Sequence, residues 1–353
     1  MTTETITSTT EDKPDAAKVS FGKLWDTWGV TGIFLILLVF TPFIAPGFLE
    51  VENLQSVLRE SAYVGIVALG MTFAIASGAF DLSVGGQLAL TSVVSLMAFS
   101  GGGTAAAIAA AIATGIACGL VNAGLITQLR VPPFVATLGT LFVFRGIAYL
   151  LTQDGPKILP YDQIDSPFAK LGSLNIAGLP LPFIIMVAVF AAGWVLLRRT
   201  AIGRRTLAYG SSPSAARFCG ISDTTIRMFV FGLVGLTVGI AALTYITRVW
   251  TADGSAQDGF ELKVIAAVVL GGTSLKGGKG TLIGTFSAVF LVSVLNEVLV
   301  SRGVESAYQR IVLGCVLIVA LTIDGLRTRF AAPGSFRRAL TGLLPGKATP
   351  TAS

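Results

Sequence analysis

Ten apolar stretches, most of them long enough to cross a bilayer, set the strongest constraint on what this chain can fold into. They run at about residues 27–46, 61–79, 83–100, 104–126, 133–152, 180–198, 226–248, 262–275, 281–300 and 308–326. A bilayer core is about 30 Å thick and takes roughly 20 residues of helix to cross. The expected fold class is therefore all-α and polytopic, with about ten transmembrane helices. The third and eighth stretches are short or interrupted by glycine, a pattern that marks broken helices around a pathway. Of the residues, 53% are hydrophobic and only 12% charged. Soluble domains run near a quarter charged, so a soluble or disordered chain is excluded. The 41 glycines fit the same class, because small residues let membrane helices approach closely.

Histidine is absent, which removes Ser-His-Asp and Cys-His catalysis, histidine metal sites and histidine proton relays. Cys118, Cys219 and Cys315 stand far apart and read as buried small hydrophobes, with neither a zinc site nor a disulfide framework indicated. The net charge of +6 is a matter of topology. With the N-terminus in the cytoplasm, seventeen Lys and Arg fall in cytoplasmic segments and seven on the other side, while Arg145 lies within a span. That asymmetry favours both termini inside and removes nucleic acid as a partner. The chain then divides into a polar cytoplasmic tail (1–26) without a signal-peptide pattern, a transmembrane domain (27–326) and a basic cytoplasmic tail (327–353).

The segment at about 199–226 is the longest cytoplasmic connection. Ser211, Ser212, Pro213 and Ser214 form a helix start before Ala215, Ala216 and Arg217, and Gly210 and Gly220 bracket the whole. A solvated connection or a lipid headgroup contact would explain it, but a docking surface for a cytoplasmic partner is the preferred expectation. The glycine-rich run 271–280 has the flavour of a phosphate loop and fails on spacing. Counted back from Gly278-Lys279, the earlier glycine, Gly272, falls one residue too far, and Gly280 stands where a magnesium-binding Ser or Thr is needed. If ATP drives this chain, the ATPase is a separate subunit.

Polar residues inside the spans are few and costly unless they face protein or water. Ser83, Gln87, Thr91 and Ser95 share one face of the third stretch; Thr137, Thr140 and Arg145 lie on the fifth; Thr237, Thr244 and Arg248 align on the seventh. Asn122 and Asn296 sit in the fourth and ninth, in similar short strings compatible with an inverted repeat of spans 2–5 and 7–10. With Asp81, the hydroxyls and amides of this set are the pathway candidates, a lining suited to an uncharged, hydroxylated substrate. The bland alternative is that each Ser or Thr bonds a backbone carbonyl one turn back. Arg145 needs an internal partner. Glu297 falls near the outer interface, solvated or paired with Arg310. Gly232, Gly235 and Gly239 form a small-residue seam for helix packing.

Four strings carry a family likeness: GMTFAIASGAFDLSVGG (70–86), VPPFVATLGTLFVFRG (131–146), AIGRRTLAYGSSPSAARFCGI (201–221) and AAVVLGGTSLKGGKGTLIGT (266–285). Together they resemble the permease subunits of ribose-type monosaccharide ABC importers, with branched-chain amino-acid permeases as more distant cousins. The resemblance implies a ten-helix permease in the bacterial inner membrane that pairs with a second copy or a paralogue. It implies two cytoplasmic ATPase subunits, which would use ATP and magnesium, and an extracytoplasmic sugar-binding protein. The chain itself would perform no bond chemistry and hold no cofactor. The family's coupling segment matches 201–221, so Gly203, Arg204, Gly210, Ala215, Ala216, Arg217 and Gly220 are expected to form the contact with the ATPase. The family pattern has Tyr at Leu207, Asn at Ser212 and Asn at Glu297. Rivals are a branched-chain amino acid as substrate, which calls for a charged pair on one face that no single helix offers, and an ion-coupled secondary transporter, whose only carboxylates, Asp81 and Glu297, lie near span ends.

Overall fold

The computed structural model describes residues 21–153 and 155–330. Among them the chain is almost wholly helical: α1 (Phe21–Ile44), α2 (Val51–Ala76), α3 (Val84–Thr127), α4 (Pro133–Leu151), α5 (Pro167–Ser173), α6 (Leu181–Arg199), α7 (Ala201–Ser211), α8 (Pro213–Phe218), α9 (Asp223–Val249), α10 (Phe260–Leu270), α11 (Leu282–Ser301) and α12 (Ser306–Phe330). Two ribbons of two residues per strand, β1 (Lys157–Ile158) with β4 (Thr251–Ala252) and β2 (Asn175–Ile176) with β3 (Leu179–Pro180), are both antiparallel. α2, α3, α4, α6, α9 and α11 are long and apolar enough to cross a membrane. Helix starts follow capping rules: the side chains of Thr200, Ser212 and Ser222 accept the backbone N–H of Gly203, Ala215 and Thr225 at the heads of α7, α8 and α9.

Boundaries differ from the sequence expectation in instructive places. α1 begins at Phe21 and α12 runs to Phe330, so 21–26 and 327–330 are helix rather than tail; the rest of both expected tails lies outside the described residues. The third and fourth apolar stretches form one element, α3. A straight helix of 44 residues would be about 66 Å long, more than twice a bilayer core. The chain instead breaks at Gly103 (φ 70°, ψ −163°) and folds back, so that Ser95 Oγ donates to the carbonyl of Ala107 at 3.0 Å. Only glycine adopts that backbone without a steric penalty. The eighth stretch is helical only from 260 to 270, and 271–281 is irregular.

α2 forms the centre and is buried continuously from Glu60 to Ala76. It runs antiparallel to α9, with Tyr63 against Tyr245 (ring centroids 5.5 Å), Gly70 against Val234 and Thr237, and Phe73 against Phe229 (6.2 Å). α9 lies equally close to the second arm of α3. A Cβ at Gly115 would collide with the carbonyl of Gly235, and one at Gly119 with the carbonyl of Phe231. The expected glycine seam is therefore a backbone-to-backbone contact at Gly235 and Gly239, whereas a Cβ at Gly232 would meet only Leu120 Cδ2 at 3.6 Å, an ordinary contact. After α2 the chain makes a loop, α3 and α4; after α9, which runs the opposite way, it makes a loop, α10, α11 and α12. That succession fits an inverted repeat.

Candidate functional site

Among the described residues, three centres interrupt the apolar bundle. The first is built where α2 ends and the chain turns at Gly78 (φ 77°) into α3. Asp81, wholly buried, accepts the backbone N–H of Ser83 at 2.9 Å and its hydroxyl at 2.5 Å. This i to i+2 bond is the ordinary way an aspartate fixes a turn. Gln87 donates from Nε2 to the second carboxylate oxygen at 3.1 Å, and Asn122 Nδ2 lies 3.3–3.4 Å from both oxygens. Thr140 Oγ1 donates to Asn122 Oδ1 at 2.7 Å, which orients that amide toward Asp81. Every group facing the carboxylate is a donor, so the loop, both arms of α3 and α4 are tied to a single anion. Ser83, Gln87, Asn122 and Thr140, expected as pathway-lining residues on separate spans, meet here in one network in which Asp81, Ser83, Gln87 and Asn122 are wholly buried.

The second centre lies at the other end of α2. Glu60, 5% exposed, accepts from Lys263 Nζ of α10 at 2.5 Å and from Asn296 Nδ2 of α11 at 2.9 Å, and Arg248 Nη2 of α9 stands 3.7 Å away. A buried carboxylate needs this partnership, since a lone ion in the interior costs several kcal/mol. The Arg248 guanidinium lies 6.0 Å from the centroid of the Tyr63 ring. These side chains form one wall of an open cavity of about 490 Å³, lined further by Gln257 and by Gln309 and Leu313 of α12. Nearby, Arg145 finds its partner in Asp258, just before α10. Gly85 leaves room for that side chain: a Cβ there would strike Glu261 Oε2 and come within 3.2 Å of Arg145 Nη2.

The third centre is a junction. α7 and α8 leave the bundle at the end of α6 and return through α9. Gly210 touches the bundle so closely that a Cβ would collide with the carbonyl of Ala76, the last residue of α2, and lie 2.8 Å from the backbone nitrogen of Gly278. Gly278 N–H donates to that same carbonyl at 2.8 Å. The glycine-rich run 271–280 that fails as a phosphate loop is therefore a structural brace, bearing Lys276 and Lys279 beside the arginine-rich α7 and α8. Gly203 packs on the carbonyls of Leu196 and Leu197, and Gly220 (φ 78°) terminates the segment. Arg204, Ala215 and Arg217 are exposed. Ala216 is not: at 5% exposure it belongs to the hydrophobic core, and Phe218, 94% exposed, occupies the outer face of α8.

Other expectations are redistributed. Thr237 and Thr244 bond the carbonyls of Val234 and Ala241 (2.8 and 2.9 Å), and Thr137 that of Pro133 (2.9 Å), the bland alternative for each. Thr91 is wholly buried, its hydroxyl without a protein partner. Asn296 leaves the first set and joins Glu60. Glu297 takes a bond from Ser56 at 3.4 Å, while Arg310 lines the cavity. Cys118 is buried as expected, but Cys219 and Cys315 are exposed. The sequence reading missed Glu60 and Lys263. Each stands at the mouth of an apolar run, where a charge reads as solvated, and the charged pair that no single helix offers is assembled from α2, α9 and α10.

Residues 53–321 match the family described as branched-chain amino acid transport system / permease component. The chain is 41% identical over 294 residues to the ribose import permease protein RbsC of Bacillus subtilis, covering 83% of this chain and 90% of that one. It is 36% identical over 291 residues to RbsC of Escherichia coli K12 (82% and 91% covered), and 32% identical over 318 residues to that organism's L-arabinose transport system permease protein AraH (90% and 96% covered). No solved structure matches the chain.

Proposed function

The chain belongs to the permease-component family of branched-chain amino acid transport systems, and from that premise we propose that it is the membrane subunit of an ATP-driven ABC importer for a monosaccharide, a pentose, hexose or related polyol. Relatives that the chain matches over most of their length are named for ribose and L-arabinose. Its partners are a cytoplasmic ATPase that binds ATP and magnesium, a second permease copy or paralogue, and an extracytoplasmic sugar-binding protein. It resides in the bacterial inner membrane with both termini in the cytoplasm.

The observation that carries this reading is the junction at Gly210. ATPase closure bears on the exposed face of α8, and α7 hands the displacement to the end of α2 and to the 271–280 brace through contacts too close to be compressible. The brace continues into α10, whose Lys263 holds Glu60 in the opposite half of the bundle. Binding energy released on one side thus biases which side of the pathway is open, as a two-state transporter requires.

The test is recovery of an ATPase subunit with the tagged chain from mild detergent. Phe218→Asp is expected to reduce both that recovery and sugar uptake while the chain still inserts. Uptake by the purified chain in liposomes without ATP would overturn the proposal. A branched-chain amino acid as cargo has one observation in its favour, the meeting of cations and a carboxylate at Glu60. Those charges already satisfy one another, and competition of L-leucine with sugar uptake separates the two cargoes.

A further inference from the structure

We infer that the cavity between α2, α9, α10, α11 and α12 is a binding station for a neutral polyhydroxylated molecule, with Glu60 as its acceptor and Lys263, Arg248 and Asn296 as its donors. This goes deeper than the importer reading and rests on it for the identity of the cargo.

The cavity, at about 490 Å³, falls within the ordinary range for small-molecule sites, roughly 300–1,000 Å³. Among its charged side chains Glu60 is paired with Lys263 and Arg248, and Asp258 with Arg145, whereas Arg310, exposed, has no carboxylate within ion-pair distance among the described residues. Both carboxylates are thereby engaged, so the ammonium of a zwitterion would have to break one of these pairs to gain a counter-charge. A hydroxyl breaks none. A carboxylate offers about four lone-pair positions, and Glu60 has close hydrogen bonds from only Lys263 and Asn296. An ammonium has three N–H donors and a guanidinium five, so Lys263 and Arg248 retain donors after engaging Glu60. One hydroxyl can donate to the carboxylate while its neighbour accepts from a cation, the pattern that vicinal diols present. The amides of Gln257 and Gln309 add groups that both donate and accept. Val292, Leu295, Leu299 and Leu313 add apolar lining for the C–H face of a sugar ring.

The experiment uses the complete transporter, reconstituted with its ATPase, in a Cys219→Ser and Cys315→Ser background that removes the two exposed thiols. Gln309→Cys places a thiol on the cavity wall. D-ribose and L-arabinose are expected to slow its alkylation by a maleimide several-fold, and L-leucine to leave the rate unchanged. In the parallel kinetic test, Asn296→Ala is expected to raise the KM for sugar uptake roughly tenfold, the scale set by one hydrogen bond in a charged cluster. Equal alkylation with and without sugar, protection by L-leucine instead, or an unchanged KM would each overturn the station. Should the parent transporter carry sugar while Gln309→Cys stays unprotected, the station alone falls. Should the parent carry no sugar, the importer reading falls with it.

Discussion

Two glycines three residues apart on α9 allow a controlled test of the packing. Replacing either Gly232 or Gly235 by alanine gains the same helix propensity, about 1 kcal/mol, so that contribution cancels between the two variants. What differs is the space available. At Gly232 the added methyl meets Leu120 Cδ2 at 3.6 Å, an ordinary van der Waals contact with a movable side-chain tip. At Gly235 it collides with the carbonyl oxygen of Gly115 and lies 2.8 Å from that carbonyl carbon and 3.1 Å from Ile116 Cα. Backbone cannot change rotamer, so α3 and α9 must separate, and overpacking of this kind costs about 1–3 kcal/mol, here toward the upper end. For a chain of this size each kcal/mol moves the melting temperature by about 1.4 °C. Gly235→Ala should therefore melt about 3–4 °C below Gly232→Ala when both are heated in mild detergent and the folded fraction is read by size exclusion. Coincident melts, or a lower melt for Gly232→Ala, would refute the close approach of the two backbones.

Asp81→Asn puts an amide N–H₂ among groups that already donate, leaving a buried mismatch worth about 1–3 kcal/mol. A melting temperature lowered by about 1–4 °C in the same assay is expected, and an unchanged melt would show that the carboxylate does not anchor the loop. Topology is open to labelling, because Cys219 is exposed at the end of α8 and Cys118 is buried. In a Cys315→Ser background an impermeant maleimide should react in inside-out vesicles and not in intact cells, and the reverse pattern would invert the proposed orientation.

Hydropathy is a local property, and for that reason the long helices were legible from residue order alone. The Asp81 centre was partly legible for the same cause: Ser83 and Gln87 lie within two turns of Asp81, and Asn122 stood out as an amide in hydrocarbon. Glu60, Arg248, Lys263 and Asn296 come from four different helices. Nothing in the spacing along any one of them records that they converge. Ala216 failed for another reason. A helix of six residues spans less than two turns, too short for periodicity to say which face is inward. Position in the fold, with Ile226 and Tyr209 in the same core cluster, decides it instead. The break in α3 sits within three consecutive glycines, 101–103, and only the backbone angles single out Gly103.

The glycine contact between α3 and α9 also bears on the timing of the proposed transport cycle. Two backbones that touch have no soft side-chain layer between them, so the pair behaves as one stiff strut rather than two springs in series. α9 starts five residues after Phe218, the exposed end of α8, and ends at Val249, one residue past Arg248. One rod therefore runs from the exposed face of α8, cytoplasmic in the proposed orientation, to the wall of the cavity. A displacement at the first reaches the second without an intermediate in which one end has moved and the other has not. An importer of the proposed kind, strutted in this way, would change access in concert, its two gates sharing a single clock.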